Sequence, residues 1–404
     1  MSLKPISAHQ FSVLRLLLAS YVLIHFVSLF PSAVDLFSNV GMVSDPSILP
    51  TWGILPNVFW ISDSPAMVYG VLGAGVLLSL ALALGLKRRL VALGLWFVWM
   101  SLFNRNILIS NPALPFVGLL LLIMAALPAG EPYAVDDPVE GWEFPAWVYW
   151  GVLLSLMGGY TASGCHKLMS PSWLDGSALR HVLELPLARI NIVRDGLLAL
   201  PDSLIQGMTW TALGMEVFAL PLTLIPATRR WIWLGLLLMN LSILLVIDFA
   251  DLTFGILVMH AFCFHQAWLP PAKSADAHPV VYFDGVCSLC NHAVDFLMAE
   301  DHEERYRFAS IQGETAKTVQ NADLQAGKTM ALQDGAQLYV KSEAVLRAAA
   351  GLGGHWRVIS WLRIVPRVIR DAVYMRVSNN RYAIFGKRDT CRMPTPEERA
   401  RFLS

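Results

Sequence analysis

Two cysteines three positions apart, Cys287 and Cys290, stand in the run VVYFDGVCSLCNHAVDFL (Val280–Leu297), directly after an apolar, β-branched stretch. Thiols at this spacing lie one helical turn apart, close enough to form, break and exchange a disulfide. The pattern of a short strand, a turn and then apolar residues at Val294, Phe296, Leu297 and Met298 predicts a helix starting near Cys287. Unpaired backbone N–H groups and the helix dipole stabilise a thiolate at such a start, so Cys287 reads as the nucleophile and Cys290 as the resolving thiol. Asp284, three residues earlier, could relay the thiol proton or cap the turn. Zinc is the rival use of the same groups, with His292 or Cys391 as further ligands. No second CxxC or HxxxH completes a site of normal spacing, and no metal is expected. A merely structural cysteine pair is the remaining alternative.

A second set of groups lies far upstream. Lys167 ends an apolar segment in YTASGCHKLMSPSWLDGSALRHVLE (Tyr160–Glu184). A lysine there is ordinarily an interfacial anchor, but an amine held out of water can also act as a base near neutral pH. Glu216 sits inside the apolar run TALGMEVFALPL, where a carboxylate needs a cavity or a partner, with Lys167 and Arg105 as candidates. His25, Asn240, Asp248, Asp251 and His260 also fall in or beside apolar segments, and the two histidines read as satisfied interhelical hydrogen bonders. Cys165 and Cys263 read as small packing residues.

Composition sets the elements that must hold these groups. Of 404 residues, 55% are hydrophobic and 15% charged, and the mean hydropathy is +0.53. A soluble chain carries about 25% charged residues, so a membrane class is expected. Residues 1–271 hold 12 Lys and Arg against 15 Asp and Glu, and the rest of the chain holds 18 against 15. This rise in charge density predicts a domain of residues 1–271, a linker at 272–279 and a second domain at 280–404. Five cysteines do not make a disulfide scaffold. No cleavable signal is expected at the start.

Apolar runs near 11–30, 66–86, 89–109, 113–128, 146–166, 206–226, 230–249 and 252–269 predict about eight membrane spans, the fourth short. The basic turns Lys87-Arg88-Arg89 and Arg229-Arg230 would be cytoplasmic, and an even span count then puts both termini there. Two loops run against this scheme: 129–145 carries only acids, and the segment after Lys167 carries Arg180, Arg189 and Arg194. Near the C-terminus, Arg357, Arg363, Arg367, Arg370, Arg376 and Arg381 interleave with Trp361, Ile364, Val365 and Ile369, a pattern suited to an anionic membrane surface or to a solvated face. Nothing supports nucleic acid as a partner.

Two resemblances sharpen the reading. Tyr160, Gly164, Lys167, Leu168, Trp173 and Gly176 match a Y-x-x-x-G-x-x-K-L-x-x-x-W-x-x-G pattern. The stretch resembles the horizontally transferred transmembrane domain, a bacterial relative of vitamin K-dependent gamma-carboxylase. That resemblance implies a quinone or hydroquinone-like lipid, with Lys167 as the base that deprotonates it. The implied binding residues are His166, Gly164, Tyr160, Trp173, Asp175, Glu216, Arg105 and His260. The carboxylase's histidine after an earlier span has no counterpart in NRNILISNPALP (Asn104–Pro115). The second resemblance rests on DGVCSLC, with Asp284, Cys287 and Cys290. It is the signature of the DCC family of thiol-disulfide oxidoreductases, and NNRYAIFGKRDTC (Asn379–Cys391) matches as well. It implies a small α/β thioredoxin-like domain with a redox-active cysteine pair. Thioredoxins face their CxxC with a cis-proline, yet no proline lies between Pro279 and Pro366; exchange with one dedicated thiol partner, itself thioredoxin-like or of another kind, is therefore expected.

The expected architecture is a multi-pass α-helical membrane domain followed by that α/β domain, in a bacterial inner membrane with the C-terminal domain cytoplasmic. The expected function is thiol-disulfide exchange coupled to a quinone-like lipid. A carboxylase- or oxygenase-like membrane enzyme with an accessory thiol domain, and a redox-sensing transporter, stay open as alternatives.

Overall fold

The computed structural model describes residues 6–136, 139, 142–248, 250–265, 268, 278–387, 394 and 398–403. The chain forms two compact units, Met1–His265 and Gln266–Ser404. Most of the expected linker, 272–279, lies outside the described residues, as does Cys391.

The first unit is helical. Its long elements are Ala8–Leu29, Pro65–Leu84, Arg88–Arg105, Ala113–Ala126, Ala146–Lys167, Asp202–Val217, Pro226–Val246 and Ala250–Cys263, with Ala219–Leu224 continuing the sixth after a break. Local chemistry sets their ends. Ser7 and Ser64 each accept a backbone N–H three residues on, Pro65 occupies the first turn of its helix, and Gly85, at φ +71°, ends it. Among the described residues, three helices are long and apolar enough to cross a membrane: Ala8–Phe37, Pro65–Leu84 and Pro226–Val246. The expectation of about eight spans is not supported, although a helix is described within each expected segment. Ala113–Ala126 and Asp251–Cys263 are apolar but short. The 18 residues of Arg88–Arg105 include three arginines, and Asp202–Val217 stops after 16 residues.

Apolar side chains such as Phe11, Leu18, Phe26, Trp99, Leu120, Met157 and Phe262 fill the unit's core. Helices approach closely at Gly255, where a Cβ would lie 2.8 Å from that of Ala113 and 3.1 Å from the Tyr21 hydroxyl.

Ion pairs, buried in one case and exposed in the other, engage the charges of the two loops that run against the basic-turn rule. Arg88 is not a free cytoplasmic cation. It is fully buried with its Nε 2.8 Å from Glu131, which also meets Arg15 at 3.0 Å. The acidic loop thus supplies a counter-charge that the basic turn and the first helix require. On the other side of the scheme, Arg180 pairs with Asp202, Arg189 with Asp248 and Arg194 with Asp195.

The second unit is a five-stranded mixed sheet with helices. The strands are β1 (Val280–Phe283), β2 (Arg307–Ser310), β3 (Ala331–Asp334), β4 (Gln337–Val340) and β5 (Phe402–Leu403), in the order β4-β3-β1-β2-β5. β1 runs parallel to β2 and antiparallel to β3, and β3 and β4 form a hairpin that turns at Gly335, φ +58°. Alternation along β1 sends Val281 and Phe283 to one face and Tyr282 to the other. The first face packs on Cys287, Cys290, Val294 and Leu297 of the helix Ser288–Glu300, and the second on Ala316 and Leu324.

Candidate functional site

The thiol pair sits where β1 gives way to a helix. Cys287 is the N-cap of Ser288–Glu300, and its sulfur accepts the Cys290 N–H at 3.4 Å. Both cysteines are unbonded thiols; Cys287 is fully buried and Cys290 nearly so. The loop is held by Asn291, whose Nδ2 donates to the Gly285 and Cys287 carbonyls at 2.9 and 2.8 Å. After the helix Arg367–Phe385 the chain returns over the thiols, where Ser288 N–H donates to the Gly386 carbonyl and Lys387 pairs with Cys287 in an antiparallel bridge. This segment lies beside the CxxC.

Asp284 does more than the sequence suggested. Its Oδ1 accepts Val286 N–H at 3.3 Å and Gln312 Nε2 at 2.9 Å, so it does cap the turn. Its Oδ2 accepts Arg381 Nη2 at 3.1 Å and the Tyr382 hydroxyl. Burial alone would raise its pKa; the bonds from Tyr382, Gln312 and Arg381 outweigh burial and hold it below the usual carboxylate range. Cys287 is pushed down to about 6, first by the hydrogen bond from the Cys290 thiol, then by the Cys290 N–H and the Arg381 guanidinium, against burial and Asp284. Cys290 is pushed up by that same bond and by burial. The same surroundings thus favour charge on Cys287 and disfavour it on Cys290.

Arg381 is the residue that sequence reasoning misplaced. It was grouped with a basic stripe read as facing an anionic membrane or solvent, but it is buried and also donates to the Gly327 carbonyl at 2.6 Å. Gln312 and Tyr382 were missed altogether. The available signal was the run NNRYAIFGKRDTC, whose Arg-Tyr pair falls inside a stretch already matched to the thiol signature. The rest of the stripe is partly neutralised. Arg363 and Arg370 converge on Glu343, and Arg367 pairs with Asp371, while Trp361, Ile364 and Val368 stay exposed.

In the helical unit, Lys167 Nζ bonds both carboxylate oxygens of Glu216 and lies 4.7 Å from the centre of the Trp173 ring. Gly164 lets this approach happen, since a Cβ there would lie 2.6 Å from Val217 N. Tyr160 is on the same helix, one turn before Gly164 and two before Lys167. Its hydroxyl meets His260 Nε2 at 2.8 Å and accepts from Asn240 Nδ2. Arg105 is not part of this group; it is fully buried against Asp63 and the Val43 carbonyl. His166 is exposed, and Asp175 is an exposed turn residue that accepts Ser177 N–H at 2.8 Å. Cys165 is exposed rather than packed, whereas Cys263 is buried. The histidines are only half satisfied: His260 Nδ1 and His25 Nε2 are buried without a hydrogen-bond partner among the described residues. Those residues hold no cluster of three or more His, Cys, Asp or Glu able to bind a metal.

Comparison with known proteins bears on the C-terminal unit alone. The family described as DCC1-like thiol-disulfide oxidoreductase matches residues 281–387. The uncharacterized protein YuxK of Bacillus subtilis is 38% identical over 128 residues, 31% of this chain and 93% of its own length. The chloroplastic DCC family protein At1g52590 of Arabidopsis thaliana is 34% identical over 125 residues, 29% of this chain and 71% of its own. No solved structure matches. The carboxylase-like resemblance of the first unit has no counterpart among these matches. A buried thiolate–thiol pair framed by Asp284 thus coincides with a relative matched over almost its whole length, and by its C-terminal unit the chain belongs to the DCC1-like thiol-disulfide oxidoreductase family.

Proposed function

We propose that this chain is a membrane-anchored thiol-disulfide oxidoreductase whose dithiol passes electrons to a quinone-like lipid held by the helical unit. The observation that carries the thiol half is the division of labour at the CxxC. Cys287 has its charge favoured at neutral pH, and Cys290 keeps its proton until needed. The fold reading that goes with it is thioredoxin-like; it is supported by the β-helix-β start, the central β1 and the antiparallel β3–β4 hairpin followed by the helix Lys341–Gly351.

In the exchange step, the Cys287 thiolate attacks one sulfur of a partner disulfide, and the other partner sulfur leaves as thiolate. Cys290 then loses its proton and attacks the Cys287 sulfur. The partner leaves with both thiols reduced, and Cys287–Cys290 becomes the disulfide, so two electrons have moved to the partner. Run in reverse on a reduced partner, the same steps load the dithiol. A quinone that accepts two electrons and two protons, directly or through another thiol protein, would return the pair to its disulfide as quinol. Asp284 and Arg381 supply the fixed field around Cys287.

Lys167 with Glu216, beside Trp173, is the candidate quinone-binding pair, a reading supported by a cation and a carboxylate brought together next to an aromatic ring in an apolar unit. A cytoplasmic C-terminal unit follows from the exposed basic residues Lys87, Arg89 and Arg230 only with an even number of crossings, so this reading makes the short apolar helix Asp251–Cys263 a fourth crossing. Membrane lipids and a thiol protein are the expected partners.

The test is mass spectrometry of lipids extracted from protein purified in mild detergent, followed by quinone absorbance during reaction with dithiothreitol. Bound isoprenoid quinone, reduced in wild type but not in Cys287→Ser or Cys290→Ser, is the expected result. A protein free of small molecules, or one whose quinone responds equally without the cysteines, overturns the coupling.

A further inference from the structure

We propose that His25, oriented by Asp251, is a second docking point in the helical unit, binding the hydroxyl of an aromatic ring dissolved in lipid, a hydroquinone or a phenol. The inference rests on the reading above only for the class of ligand; its residues are different ones. Asp251 is saturated with donors. Its Oδ1 lies 2.7 Å from His25 Nδ1 and accepts the Tyr21 hydroxyl at 2.9 Å, and its Oδ2 accepts Asn111 Nδ2 at 2.9 Å. A carboxylate in that position only accepts, so the proton between it and the ring belongs on Nδ1. In its neutral form the ring then turns a lone pair outward at Nε2. That atom is buried and has no partner among the described residues, in a side chain only 7% exposed. A buried acceptor left unmade is costly, and an O–H donor is what would satisfy it.

The surroundings select the donor's body. His25 lies 4.6 Å from the Trp99 ring, 5.9 Å from Phe103 and 6.1 Å from both Tyr21 and Phe26, measured between ring centres. Such walls favour another flat ring. His25 is in the membrane-length helix Ala8–Phe37 and Asp251 starts the apolar helix Asp251–Cys263, which places the dyad between apolar elements. The Asp251 side chain itself is 39% exposed, which leaves the dyad open on one side. Gly255, one turn beyond Asp251, leaves Tyr21 the room to reach the carboxylate.

The geometry predicts a preference that an ordinary greasy cleft would not have. Nε2 accepts, so a ring carrying O–H groups should bind and its oxidised form, which offers only carbonyls, should bind about tenfold more weakly. The experiment uses the full chain in lipid nanodiscs with 15N-labelled histidine, titrated under argon with menadiol and, separately, with menadione. The expected result is a saturable shift of the His25 ring-nitrogen signal with menadiol alone, the signal being assigned by its loss in His25→Gln. A His25 signal unmoved by menadiol, or equal affinities for the two forms, overturns the proposal, and the comparison of affinities uses wild type alone. If wild type binds no menadiol at all, the quinol chemistry proposed for the whole unit falls too. If binding depends on Lys167 and His25→Gln binds as wild type, only the His25 site falls.

Discussion

Each unit contains one carboxylate–cation pair beside its candidate chemistry, and the two are built differently. Asp284 takes four donors, from Val286, Gln312, Arg381 and Tyr382, and Arg381 is itself tied to two carbonyls. Glu216 has Lys167, and Lys167 has Glu216 and the face of Trp173. The first pair is over-determined, so its field at Cys287 is fixed before any partner arrives. The second is a simple bond between a flexible ammonium and a carboxylate. Either member can be withdrawn by a ligand that offers a better partner.

The contrast can be broken most severely at the sulfurs. Cys287→Ser should reduce disulfide exchange to background, because a hydroxyl cannot form the mixed disulfide; Cys290→Ser should instead accumulate one, visible as a covalent adduct on non-reducing gels. Exchange that survives in Cys287→Ser would move the attack to the other thiol.

Next in size is the helical pair. Lys167→Met leaves Glu216 buried with its countercharge gone and should cost about 2 kcal/mol in detergent unfolding, less than a fully buried pair would, because Lys167 is partly exposed. Adding Glu216→Leu should recover most of that loss. A double variant no more stable than the single would show that Glu216 has other support.

Smaller effects separate the two charges near Cys287. Thiolate is lost as pH falls, so iodoacetamide labelling of Cys287 should rise with pH through a midpoint near 6, with about a tenth of its maximal rate at pH 5. Arg381→Gln removes a stabilising cation and should move that midpoint up by about one unit, whereas Asp284→Asn removes an opposing anion and should move it down. Shifts of the same sign in both variants would mean that the frame acts through structure and not through charge. Tyr382→Phe deletes one of four donors to Asp284 and should be the mildest, about 1 kcal/mol in stability.

Local patterns made much of this readable. The CxxC after a β-branched run located both thiols and the helix start to within one residue, because capping and dipole effects act over a single turn. Helical periodicity and apolarity located eight helices. They could not give the number of crossings, since that depends on whether an arginine faces lipid or, like Arg88, a buried carboxylate 43 residues away. Arg381 failed for a similar reason: Asp284 lies 97 residues earlier, and a basic residue recurring among apolar ones looks alike on a surface and in a core. Lys167 was one of two cations, with Arg105, offered in advance as the partner of Glu216, whereas the Asp251 cluster gathers polar residues from two helices and a loop, Tyr21 and His25 on the first, Asp251 on the second and Asn111 between elements.

Cys287 is wholly enclosed, with Gly386 and Lys387 laid across it. A partner disulfide must reach the Cys287 sulfur to be attacked, so a wholly buried sulfur has to be uncovered before it exchanges. Gly386, at φ +85°, adopts a backbone conformation that side-chain-bearing residues rarely take. Reaction with oxidants and partners at such a sulfur depends on its exposure as well as on its charge.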